Sequence, residues 1–173
     1  LPSVIVKDVN NIVVNDGSVT FALATGRGRV IFLSTTTNSS GIATVGSWTL
    51  GTTVGSNTLT ATSGSLAGSP VTFTATGTVG AATKYLVSSS NYSPTAGSDV
   101  TINAQLADAN NNPVSTLGNT VTWSKSDANG SFASPTSSTN ASGLATVVFT
   151  THTVSGTATT VTGTDGGSLT GTS

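Results

Sequence analysis

The chain has 173 residues, five Lys or Arg, six acidic residues, a net charge of −1 and no Cys. So small a charge offers no field to hold nucleic acid or an anionic membrane surface, and no disulfide or thiol chemistry is available. Charged residues are only 6% of the chain, Glu is absent, and Ser, Thr and Val abound, which excludes a helix-rich fold and points to an all-β one.

Taken in order, residues 1–18 hold an apolar run, Val4-Ile5-Val6, a polar turn at Asp8-Val9-Asn10-Asn11, and a second run, Ile12-Val13-Val14. A strand follows from Val19 to Ala24, with Val19, Phe21 and Leu23 on one face, and Gly26-Arg27-Gly28 breaks it. Val30-Ile31-Phe32-Leu33 is an apolar run of the kind a buried strand carries. Asn38-Ser39-Ser40-Gly41-Ile42-Ala43-Thr44-Val45 then reads as a turn feeding a strand that runs on to Trp48 and Leu50. Strands at Asn57–Thr62 and Val71–Thr76 close the first half, the latter alternating cleanly with Phe73 inward. Residues 79–83, within the small and uncharged stretch Gly77–Thr83, read as a linker.

The second half opens with Tyr85-Leu86-Val87, a turn at Ser93-Pro94-Thr95-Ala96-Gly97, and a long strand through Val100, Ile102, Ala104 and Leu106. A polar turn at Asp108 follows, then a strand at Val121-Thr122-Trp123 and a turn in which Gly130 is expected to take positive φ. Asn140-Ala141-Ser142-Gly143-Leu144-Ala145-Thr146-Val147 repeats the earlier octet 102 positions on, from 38 to 140. The same offset carries Val19-Thr20-Phe21 onto Val121-Thr122-Trp123 and Gly28 onto Gly130, so the chain is an internal repeat. The repeat motif is carried by Asn38, Gly41 and Ala43 and by Asn140, Gly143 and Ala145. Phe21, Trp48, Phe73, Trp123 and Phe149 are the expected core anchors, with Phe132 beside them.

Strands of this length between turn signals predict two tandem antiparallel β-sandwich domains, 1–78 and 84–173, joined by 79–83. The octets, the Val-Thr-aromatic strands, Ser93-Pro94-Thr95-Ala96-Gly97, and Trp48-Thr49-Leu50-Gly51 with Asn57-Thr58-Leu59-Thr60-Ala61 resemble bacterial immunoglobulin-like domains of the invasin/intimin type. That resemblance implies modules stacked into rods on surface adhesins, with no catalytic residues. Related modules decorate phage capsids, tails and fibres, which is the alternative reading.

Against that pattern the first domain is expected to lack its first strand, because Leu1 aligns within the next one. The second is expected to lack its last, because Leu169–Ser173 matches Leu66–Ser69. Either these residues are a window on a longer array, or a neighbouring subunit donates the strands. The expected partners are other copies of the chain or neighbouring repeats, and a surface receptor or a capsid or tail lattice. Neither nucleic acid nor membrane insertion is expected, and the expected location is an extracellular or cell surface, or a virion.

Little chemistry competes with that reading. His152 is the only histidine and has no Cys, Glu or second His to share a metal. Asp108-Ala109-Asn110-Asn111-Asn112 has the spacing of a calcium loop, but Pro113 stands where Gly is needed and the downstream Glu is missing. Tyr85 and Tyr92 are the candidates for a glycan-binding strip, and Asn38, Asn91, Asn129 and Asn140 begin Asn-x-Ser sequons. No catalytic, cofactor or metal residue is assigned.

Overall fold

A computed structural model describes all residues, Leu1–Ser173. The fold is all-β and antiparallel, of the immunoglobulin-like type, and divides into two compact units, Leu1–Thr78 and Val79–Ser173. No helix is long and apolar enough to cross a membrane.

The second unit is the more regular. One sheet orders β12 (Ser131–Phe132), β14 (Leu144–Thr150), β10 (Asp99–Ala107) and β9 (Lys84–Ser89). The other orders β13 (Thr136–Ser138), β11 (Thr120–Lys125), β15 (Val161–Asp165) and β16 (Thr170–Thr172). The chain passes from β10 to β11 and from β14 to β15, so two adjacent pairs interlock across the sheets, as in immunoglobulin-like sandwiches. Alternation along each strand turns Val100, Ile102, Ala104 and Leu106 inward to meet Val121, Trp123, Val147, Phe149 and Val161. Phe132 bridges the aromatics, 5.0 Å from Phe149 and 6.3 Å from Trp123 between ring centroids. Each fully buried apolar side chain contributes roughly 1.5–3 kcal/mol.

The first unit has one four-stranded sheet, in the order β4 (Ser34–Thr36), β2 (Ser18–Thr25), β7 (Gly55–Thr62), β8 (Val71–Gly77). Its other side is two short ladders, β1 (Ser3–Ile5) on β5 (Ile42–Thr44) and β3 (Arg29–Ile31) on β6 (Ser47–Thr49). Phe21, Leu59, Val19, Val45, Ala43 and Ala61 form its core, and Trp48 and Phe73 pack half-buried at the margin.

Register refines several expectations. Val4 pairs with Ala43 as Ala104 pairs with Ala145, so β1 corresponds to the later part of β10. β1 pairs with β5 on one side, and at this offset the counterpart of β9 falls ahead of Leu1.

The second unit, by contrast, does have a closing strand. β16 pairs Thr172, Gly171 and Thr170 with Thr162, Gly163 and Thr164. The matching of Leu169 with Leu66 misplaced it, because the loop before β8 is longer than the Asp165–Leu169 turn. Residues 79–83 are not a free linker either. Gly80 N–H donates to Asp108 Oδ2 at 3.0 Å, Thr83 N–H donates to Ala107 O at 2.9 Å, and Ala82 packs on the second core.

The run Val30–Leu33 is not a buried strand: β3 ends at Ile31, Phe32 has φ of 58° and is 70% exposed, and Leu33 is exposed. Gly130 is not in the left-handed region. It is glycine because a Cβ there would lie 2.3 Å from Phe149 Cζ.

Candidate functional site

The repeated octet builds a turn stapled by one side chain. Asn140 Oδ1 accepts the N–H of Ser142 at 2.9 Å and of Leu144 at 3.1 Å, and Asn38 Oδ1 accepts those of Ser40 at 2.9 Å and Ile42 at 3.0 Å. The third residue after the staple takes positive φ, 75° at Gly143 and 73° at Gly41. At Gly143 a Cβ would also lie 1.9 Å from Val114 O, so only glycine fits there. Ala145 and Ala43, next along the emerging strands, are buried in the two cores.

The same turn recurs where an Asp leads. Asp8 staples Asn10 and Ile12, Asp108 staples Asn110 and Asn112, and Asp165 staples Gly167 and Leu169. The residues Asn11, Asn111 and Ser168 carry the positive φ. Asn is the commonest non-glycine residue in that region. The Asp165 turn escaped the sequence reading because Gly166-Gly167 resembles any flexible loop.

A second device sits beside each octet. Thr139 and Thr37 are buried, and each hydroxyl ties two loops. Thr139 Oγ1 accepts Asn119 N–H at 3.0 Å and donates to Thr116 O at 2.7 Å. Thr37 Oγ1 accepts Gly17 N–H at 2.8 Å and donates to Val14 O. The signal was present in the sequence, since Thr37-Asn38 and Thr139-Asn140 stand at the repeat offset.

The candidate calcium loop is one of these turns. Asp108 Oδ1 accepts two backbone N–H groups, and Oδ2 accepts Gly80 N–H at 3.0 Å and Asn112 Nδ2 at 2.9 Å. Both oxygens face donors, which compensates the ionised form without a cation. The Asn112 side-chain amide opposes burial, together with the three backbone donors, and holds this carboxyl at about 2.

At Asp127, burial pushes the carboxyl up. The Asn129 N–H, the charge of His152, the Gly130 N–H and the charge of Lys125 outweigh it and leave the carboxyl lowered. His152 Nδ1 accepts Val154 N–H at 2.6 Å, which commits that nitrogen to its own turn.

The two tyrosines do not form a strip. Tyr85 is 2% exposed in the core, and its hydroxyl donates to Asp165 Oδ2 at 3.1 Å. Burial and the Asp165 charge push its phenol up. Tyr92 is exposed on a turn and its hydroxyl accepts Ser89 N–H at 3.2 Å.

Two concavities border the strands described above. In the second unit a cleft of about 420 Å³ is lined by Tyr92, Pro94, Phe149, His152, Val154 and Val161. In the first unit a groove of about 90 Å³ runs along the open edge of β1, between Val4, Val6, Val19, Ala61, Leu66 and Val71.

No protein-family model and no curated protein matches the chain. Solved structures do. A glycosyl hydrolase family 2 member from Bacteroides cellulosilyticus matches with TM-score 0.50 and 15% identity, over 91% of this chain and 22% of that one. The D0-D1 domain of intimin matches with TM-score 0.39 and 20% identity over 98% of this chain and 85% of that chain. The Yersinia pseudotuberculosis adhesin InvE matches with TM-score 0.46 and 18% identity, over 99% of this chain and 51% of that one. The chain spans about a fifth of the hydrolase's length and about half of InvE's. At these identities the likeness is one of fold alone.

Proposed function

We propose that this chain is a non-enzymatic structural or adhesive module of an extracellular surface protein, one that works stacked with further modules or assembled into a filament. One observation carries the reading. Both units place the same stapled turn and the same buried threonine at positions related by one repeat offset. The polar side chains that mark the repeat thus tie loops within each unit, the kind of local device that recurs from module to module in an array. The partners under this reading are neighbouring repeats or copies of the chain, and a surface receptor met through exposed loops. The motif resemblance to invasin/intimin-type domains supports it.

The test couples the 173-residue protein to fluorescent beads and measures their retention on cell layers and matrix-coated surfaces under flow. Retention above that of beads carrying the heat-unfolded chain is expected. Equal retention of the two bead types on every surface would remove the adhesive role. A matching pull on single chains tests the mechanical role: each unit is expected to open in its own step, releasing roughly 25–35 nm of chain.

A further inference from the structure

We infer that Asn129 is a self-modifying residue: its side chain cyclises onto the Gly130 nitrogen and hydrolyses to isoaspartate, so the loop joining the two sheets of the second unit carries a chemical clock. The inference does not depend on the adhesive reading. It rests on which asparagine carboxamides the fold restrains and which it leaves free.

Asn129 is the only asparagine followed by glycine. Elsewhere the carboxamides are held. Asn38 and Asn140 each spend Oδ1 on two backbone N–H groups, and Asn91 Oδ1 accepts Ser93 N–H at 2.9 Å. Asn57 is buried, where its Oδ1 accepts Gly51 N–H and its Nδ2 donates to Gly55 O, and Asn112 Nδ2 donates to Asp108. A carboxamide fixed in this way does not turn its carbon toward the next backbone nitrogen, the approach that ring closure needs.

Asn129 meets no such restraint. It is exposed, its Oδ1 accepts no hydrogen bond, and Nδ2 reaches only Asp127 Oδ1, at 3.5 Å. Residues 127–130 run from β11 to β12, outside every ladder. Gly130 has no side chain to shield its nitrogen, and its N–H faces the Asp127 carboxylate.

The chemistry needs only water. The Gly130 nitrogen attacks Asn129 Cγ and gives up its proton, and the carboxamide nitrogen leaves as ammonia. Water then adds to one carbonyl of the succinimide ring and breaks the bond from that carbonyl to nitrogen, which regains a proton. Opening at the side-chain carbonyl gives aspartate. Opening at the main-chain carbonyl gives isoaspartate, whose backbone is one methylene longer.

The second unit has no room for that methylene. At Gly130 a Cβ would already lie 2.3 Å from Phe149 Cζ and 3.1 Å from Thr150 O. The longer chain therefore shifts Ser131 and Phe132 off β14, where they pair with Thr150 and Phe149. Phe132 is the ring between Trp123 and Phe149, so the aromatic cluster loosens with it. The new carboxylate also stands beside Asp127, whose Oδ2 is buried without a hydrogen-bond partner.

The test incubates the 173-residue protein in warm, mildly alkaline buffer. Peptide mapping by mass spectrometry and labelling by an isoaspartate-specific methyltransferase follow the product. Position 129 is expected to convert ahead of every other asparagine, with isoaspartate the main product, and Asn129→Ser is expected to lose the signal entirely. Amide exchange at Ser131 and Phe132 is expected to rise roughly tenfold in the aged protein. Freshly prepared Asn129→Asp, which adds the charge without lengthening the chain, is expected to keep the original exchange. Three results would overturn the inference: an intact Asn129 after a peptide of residues 125–133 has converted, faster conversion at Asn38 or Asn140, or unchanged exchange in protein that carries isoaspartate.

Discussion

The two units carry the same scaffold, yet they solve the edge problem differently. In the second, β9 closes one sheet and drives Tyr85 into the core, where its hydroxyl reaches Asp165. In the first, the sheet on that side is split into two ladders, β1 on β5 and β3 on β6, and a groove lies beside β1 where the second unit has the aromatic. Their tryptophans show the same contrast. Trp123 Nε1 donates to Ser137 Oγ at 2.9 Å, whereas the buried Trp48 Nε1 finds no protein acceptor. A common turn chemistry therefore fixes the loops of a sandwich but does not by itself close its sheets.

The largest expected effect comes from emptying the better-closed core. Trp123→Ala is expected to destabilise the second unit by about 3–5 kcal/mol, read as the loss of one of two urea transitions. A single transition lost for the whole chain would show that the units do not melt independently.

Gly171→Val, which gives the second unit the residue of the first, is expected to cost about 1–3 kcal/mol by forcing β9 off β16. Amide exchange at residues 85–89 should rise with it, and unchanged exchange there would refute the close packing described. Thr139→Val and Thr37→Val each leave a part-buried N–H and a carbonyl without the hydroxyl, at about 1–3 kcal/mol. Equal losses from both would confirm the latch as a shared device. Asn140→Ala and Asn38→Ala lie at exposed turns and are expected to cost about 1 kcal/mol each in thermal melts.

The pH response should separate the units by its location. The Asp108 carboxyl is lowered in the fold, so its ionised form stabilises the second unit above the unfolded carboxyl range. That contribution fades as pH falls from about 4 towards 2. Asp108→Asn should flatten this part of the acid profile, as followed by the resonances of Gly80 and Asn112.

Much of this was legible in the sequence. Alternation placed Phe21, Trp123 and Phe149 in the cores, and the octets placed both turns. What was not legible came from pairing between distant strands. Offset matching assigned Leu169 to Leu66, but hydrogen-bond register, which sequence periodicity does not encode, makes Gly171 the counterpart of Val71 and reveals β16. The repeat offset itself shifts, from 100 at Asp8 and Asp108 to 102 at Thr37 and Thr139, because two residues are added over residues 114–116: Val114 N–H bonds Leu106 O and Thr116 O takes the Thr139 hydroxyl, where Val14 alone bonds Val6 O and takes the Thr37 hydroxyl. Hydrophobicity alone suggested a strand through Phe32 and Leu33. A positive φ at Phe32 instead turns its ring over Gly46, where a Cβ would lie 2.1 Å from Phe32 Cδ2. Tyr85 was read as a surface candidate because nothing in one strand's pattern shows which neighbour covers it.

Hydrogen exchange of individual backbone amides tests the contrast between the units most directly. The amides of Asn103, Gln105 and Ala107 are expected to be protected by β9, while those of Ile5 and Lys7, at equivalent positions, exchange at rates close to those of an unstructured chain. Equal protection at both sets of positions in the isolated protein would mean that the edge of β1 is already covered, and would contradict the account of one closed and one open sandwich.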